Sequence, residues 1–194
     1  MNKIDFLKNY IDDFSKLINE NSNQYLDDLL KIAEIFQNVK DDGKKILIFG
    51  NGGSSAIASH FSVDITKNAG YRCVNFNEAD LITCFSNDYG YEEWVKRAVE
   101  FYGDEGDVFI GISSSGSSKN ILYGCEAARK AEFSKIITLS GMDADNPLRQ
   151  LGDINLWVNS KAYNHVENIH QFWLLAVVDT IIGKAEYSAN LDEI

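Results

Sequence analysis

Two short loops concentrate the residues that could do chemistry. The first, Gly50-Asn51-Gly52-Gly53-Ser54-Ser55, closes a run of apolar residues. The second, Ser113-Ser114-Ser115-Gly116-Ser117-Ser118, places five serines in six residues after another such run. Glycines let a backbone approach a ligand closely, and the helix that follows such a loop turns its unpaired first-turn amides outward. Those amides, the positive end of the helix dipole and serine hydroxyls can hold a phosphate without a cluster of cations. Either loop alone would be no more than a tight turn with a serine helix cap. Two in one chain of 194 residues point to a bound anion. Neither is a nucleotide-binding P-loop, because no Gly-Lys-Ser/Thr follows the glycines, and the first lacks the spacing of the dinucleotide fingerprint. No nucleotide cofactor is expected.

The elements that must position these loops follow from periodicity. Apolar residues recur at three- and four-residue spacing from Ile4 to Val39, which predicts two N-terminal helices broken near Asn21 to Asn23. Short apolar runs at 45–49, 72–76, 107–112, 135–139 and 154–158 read as buried strands. Helical patterns fall between them at 54–67, 79–85, 91–102 and 118–132, and a last one covers 164–184. Strands alternating with helices give a parallel sheet covered on both faces, because parallel neighbours need crossovers. The expected architecture is α/β, a three-layer doubly wound five-stranded sheet with two extra N-terminal helices, as one domain over residues 1–194. Ligands of such folds sit beyond the carboxyl ends of the strands, where both loops fall.

Composition narrows the partners. The net charge of −11 excludes a sequence-independent grip on nucleic acid or on an anionic membrane. Three cysteines without C-x-x-C spacing suggest buried thiols rather than a disulfide framework or a zinc ribbon. The first ten residues lack the apolar run of a signal peptide or membrane span, so a cytoplasmic protein is expected. The acidic Asp192-Glu193 near the end reads as solvated.

Three blocks in order, Phe49-Gly50-Asn51-Gly52-Gly53-Ser54 with His60-Phe61, Ser86-Asn87-Asp88-Tyr89-Gly90-Tyr91, and Gly111 to Asn120 around the serines, resemble the phosphoheptose isomerase branch of the sugar isomerase (SIS) proteins. The resemblance implies an aldose-ketose isomerase that converts sedoheptulose 7-phosphate to a heptose 7-phosphate for lipopolysaccharide or capsule precursors. It also implies a homotetramer with sites at subunit interfaces. It assigns the phosphate to Ser113, Ser115 and Ser118, with Ser114 adjacent, and the sugar chain to Asn51, Gly52, Gly53, Ser54 and Asp88.

At the catalytic end the chain departs from that pattern. The family has a His and a Glu four residues apart after the first loop; here they are His60 and Asp64. The family's Gln-Glu-x-His is Glu167-Asn168-Ile169-His170 here, and its second histidine, five residues on, is Leu175. His60 and Asp64 share one helix face, and Glu167 and His170 share another. If the faces meet, Asp64 serves as general base, Glu167 or His170 as acid, and His60, Asp64 and Glu167 as ligands of a zinc ion that stabilises the enediolate. The bland alternatives are a core role for His170, a dipole-satisfying role for Glu167 and a capping or contact role for His165. Leu175 also fits a non-catalytic phosphosugar-binding protein, like the replication-initiator-associating SIS proteins, or a changed phosphosugar reaction.

Overall fold

The chain forms its sheet from five short parallel strands. The structure, a computed structural model, describes residues 2–187; Asp192-Glu193 lies outside them. The order is α1 (Lys3–Gln24), α2 (Leu26–Asp41), β1 (Ile46–Phe49), α3 (Gly53–Ala69), β2 (Cys73–Val74), α4 (Ala79–Tyr89), α5 (Trp94–Tyr102), β3 (Val108–Ser113), α6 (Lys119–Lys130), β4 (Lys135–Gly141), a 3-10 turn at Pro147–Gln150, β5 (Ile154–Val158) and α7 (Tyr163–Ile182). The strands lie in the order β2-β1-β3-β4-β5, with Ile46 opposite Cys73 and Val108, and Ile137 opposite Ile154. This is the expected doubly wound α/β fold.

Successive strand side chains point to opposite faces, and both faces are covered. Ile46, Ile48, Ile110 and Leu139 pack on Phe36, Phe61, Trp173 and Val177 from α2, α3 and α7. Leu47, Phe49 and Phe109 pack on Trp94, Val95 and Ile121 from α5 and α6. Each such side chain, fully withdrawn from water, contributes about 1.5–3 kcal/mol. At the start of the central strands Asp107, wholly buried, accepts from the backbone amides of Lys45 (3.0 Å) and Asp104 (2.8 Å) and pairs with the Lys45 ammonium at 2.7 Å.

Two boundaries differ from expectation. The N-terminal helices break at Tyr25, because α1 runs through Asn21 to Gln24. Asn21 and Tyr25 are tied down by the outer edge of β5: Asn21 Oδ1 accepts from the Asn159 amide and the Tyr25 hydroxyl oxygen from the Trp157 amide, each at 3.2 Å. The second strand shrinks to Cys73–Val74 because the chain beyond it is drawn off to α3. There Asn75 donates to Ser62 Oγ at 2.6 Å, and Asn77 to the Ser55 carbonyl and Ser59 Oγ.

Candidate active site

The sheet order reverses between β1 and β3, since the chain leaves β1 toward β2 on one side and later builds β3, β4 and β5 on the other. A crevice opens at such a switch point, beyond the carboxyl ends of the strands. Both loops lie there. Gly52 holds a positive φ of 55° at the turn into α3, and Gly116 a φ of 66° in the serine loop.

A cavity of about 140 Å³ lies between them, lined by Asn51, Ser54, Ser113, Ser114, Ser115, Ser118, Ile112, Tyr163 and Glu167. Six of those residues were expected from the sequence as substrate contacts, and Glu167 as a catalytic group. Ser113 donates to Ser118 Oγ at 2.9 Å. Ser118 caps α6 in sequence, yet its side chain makes no capping bond, and with the Ile121 amide turned to the Ser118 carbonyl the Lys119 and Asn120 amides are left for a ligand. Ser114 Oγ is buried without a hydrogen-bond partner among the described residues. The nearby cation, Lys119, is exposed and paired with Glu92 at 2.9 Å. The cavity thus offers hydroxyls and amides rather than a free cation.

The serine loop is braced from beneath. The Gly141 amide donates to the Ser114 carbonyl (3.1 Å) and the Leu148 amide to the Gly116 carbonyl (2.9 Å). Asn146, 3% exposed, fills the space a Cβ on Gly116 would need, and donates to Ser140 Oγ at 3.1 Å and to the Asp143 carbonyl at 2.8 Å. The first loop is held by Asn120, which with Asn51 forms a reciprocal amide pair, while the Tyr91 hydroxyl donates to Asn51 Oδ1 at 2.8 Å. Spacing gave no hint of Asn120, Asn146, Tyr91 or Tyr163, since each is recruited from another element.

On the catalytic side the structure corrects the sequence reading. His170 is wholly buried and its Nε2 donates to the Ser140 carbonyl at 2.9 Å. Burial pushes its pKa down to about 4, against a smaller upward pull from that hydrogen bond. It is a neutral core residue against the end of β4 and does not line the cavity. The physical reason is helical geometry: residues three apart are offset around the axis, so Glu167 borders the cavity while His170 turns to the sheet. The residue that meets His60 is Gln171, whose Nε2 is 3.1 Å from His60 Nδ1. A four-residue step from Glu167 is the signal that would have found it.

Asp64 is half-buried on α3, accepts from the Asn68 amide and does not border the cavity. Asp88, exposed on α4, also stands outside it, beside Asn87 and Cys84. Gly53, at the mouth, is so close to the Glu167 carboxylate that a Cβ there would overlap it. His60, Asp64 and Glu167 do not assemble as a metal centre: among the described residues no three His, Cys, Asp or Glu side chains come together to hold an ion. With His60 engaged by an amide and Asp64 by Asn68, these residues do not fit zinc. His165 packs at a tilt against Tyr10, 4.5 Å between ring centroids, a contact between α7 and α1.

Comparison with known proteins shows the family and the fold. The model of the SIS domain matches residues 9–141. A phosphoheptose isomerase of Fusobacterium nucleatum is 35% identical over 156 residues, 78% of this chain and 79% of that protein. One of Serratia proteamaculans is 33% identical over 171 residues, 86% of each. The solved phosphoheptose isomerase of Francisella tularensis superposes with a TM-score of 0.87 at 26% identity, covering 95% of this chain and all of that one. That of Neisseria gonorrhoeae gives 0.86 at 26%, covering 93% and 99%.

Proposed function

The chain belongs to the SIS-domain proteins and, among them, to the phosphoheptose isomerase family, and from that premise we propose that it interconverts sedoheptulose 7-phosphate and an aldose heptose 7-phosphate. The observation that carries the reading is the serine-lined cavity at the β1/β3 switch with one carboxylate, Glu167, on its rim. Isomerisation moves a proton between the two carbons that share the carbonyl and hydroxyl, and passes through an enediolate. Ser113, Ser115, Ser118 and the α6 amides hold the phosphate, with Ser114 beside them; Asn51, Gly52, Gly53 and Ser54 receive the adjoining carbons. Glu167, negative like the phosphate, must be separated from it by the carbon chain, which directs the reacting carbons toward Glu167. It takes the proton from one carbon and returns it to the next. Gln171, one turn of α7 beyond Glu167, contacts His60 of α3, which addresses the oxygens.

A cavity of about 140 Å³ holds a phosphate and its first carbons but not a whole heptose phosphate, since drug-sized ligands occupy roughly 300–1,000 Å³. The rest of the site is supplied in a homotetramer by neighbouring subunits. In support, α1 buries only Asn21 among its residues, while Ile4, Phe6, Leu7 and Ile11 are each more than half exposed. Work in the cytoplasm on surface-polysaccharide precursors completes the proposal; no described helix is long and apolar enough to cross a membrane. No step is routed through zinc, because two of the residues that would hold it, His60 and Asp64, are bonded to Gln171 and Asn68. Leu175 favours a second reading, a non-catalytic phosphosugar-binding protein.

The test is an NMR-followed assay of metal-stripped protein with sedoheptulose 7-phosphate. Appearance of aldose product supports the isomerase, and saturable binding without turnover supports the second reading.

A further inference from the structure

The contact between Gln171 and His60 determines what the imidazole can do. The Gln171 Nε2 carries two hydrogens and no basic lone pair, so across 3.1 Å it donates and His60 Nδ1 accepts. A neutral imidazole that accepts at Nδ1 keeps its proton on Nε2. His60 is exposed, so this N–H is available to a ligand. Zinc ligation through the outward Nε2 asks for the reverse tautomer, with the lone pair on Nε2 and the Nδ1–H held by an acceptor. Leu175, half-buried one turn further along α7, adds no polar group to replace that acceptor.

We propose that Gln171 is a positioning residue that locks His60 as a hydrogen-bond donor through Nε2–H, so that the ketose oxygen is polarised by an imidazole rather than by a zinc ion. The role for the ketose rests on the isomerase reading; the lock itself does not. No bond is formed or broken by the lock. The enediolate oxygen accepts from Nε2–H, and the proton that moves between carbons travels through Glu167.

The tautomer is read directly from long-range proton-nitrogen NMR correlations of the imidazoles in the full chain, at a pH where His60 is neutral. The chain has three histidines, and His60→Gln identifies the signals. The expected spectrum has His60 protonated on Nε2. In Gln171→Glu a carboxylate accepts from Nδ1–H, so the tautomer reverses and the chain gains zinc affinity in a calorimetric titration with zinc alone. In Gln171→Leu the single tautomer gives way to a mixture, and kcat falls about 10- to 100-fold at unchanged KM. A wild-type His60 protonated on Nδ1, an unchanged tautomer in both variants, or stoichiometric zinc binding by wild type that shifts the His60 signals would each overturn the proposal. Absence of turnover alongside the expected tautomers removes the isomerase reading and leaves the lock standing.

Discussion

Asn51 and Asn120 exchange two side-chain hydrogen bonds, 3.0 and 2.8 Å long, and so join the loop after β1 to the first turn of α6. Asn120 is 3% exposed, and the pair spans the switch point of the sheet. It fixes the distance between the glycine loop and the serine loop, and with it the shape of the cavity.

Asn120→Ala leaves Asn51 half-satisfied and the loops free to separate. A buried polar group left unpaired costs about 1–3 kcal/mol. If all of it appears in the transition state, kcat/KM for sedoheptulose 7-phosphate falls about 5- to 150-fold. Steady-state kinetics measures this, with circular dichroism to confirm the fold.

Ser113→Ala and Ser118→Ala each remove a hydroxyl from the phosphate end. A hydrogen bond to a charged group contributes about 1.5–3 kcal/mol. Because the phosphate is held alike in ground and transition states, KM should rise at least tenfold while kcat changes little. Inhibition by inorganic phosphate should weaken in parallel; undiminished inhibition would place the anion elsewhere.

Gly53→Ala separates stability from chemistry. The added Cβ would overlap the Glu167 carboxylate, the far end of a flexible side chain, so the chain should fold with little change in Tm. A shift of about 1 Å in a reacting group can cost about 100-fold in rate. The expected result is a large loss of kcat at nearly constant Tm, and a wild-type kcat would remove Glu167 from the proton path.

His170 makes stability depend on pH. Its folded pKa of about 4 lies below its ordinary value of 6.5, so the unfolded chain binds more protons between those limits and stability declines as pH falls through that window. The full difference is about 3 kcal/mol. Urea midpoints measured from pH 7 to 4 should show this slope, and His170→Leu should flatten it.

Gly116→Ala tests the brace. The residue sits at a φ of 66°, where a side chain costs about 1–2 kcal/mol, and its Cβ would strike Asn146. Thermal melts should show a clear loss of stability, and phosphate should bind more weakly.

The periodic segments were legible because burial acts on them through a fixed repeat. Apart from the second strand and the break between the N-terminal helices, the strands and the helices around them fall close to where apolar spacing puts them, and the two loops stand where strands end. What escaped was the partnering between elements. His60 and His170 look equivalent in sequence, two imidazoles on two helices, but rotation about α7 sends His170 to Ser140 near the end of β4 and brings Gln171 to His60. Asn146 and Asn120 are ordinary asparagines until the crossovers place them against Gly116 and Asn51. The strand beyond Val74 was misjudged because an edge strand has only one neighbour, and side-chain bonds from Asn75 and Asn77 outcompete a ladder there.

The same edges govern how the chain behaves in a crowd. A sheet recruits foreign strands through unpaired amides and carbonyls along its outermost backbone. On one side only Cys73 and Val74 continue the sheet, too little to template another chain. On the other, Asn21 and Tyr25 occupy the outward amides of Asn159 and Trp157. The junction of the two N-terminal helices is thus a stopper as well as a scaffold. A chain lacking it would leave the outward amides of Trp157 and Asn159 without these partners, the kind of open edge to which a foreign strand can add.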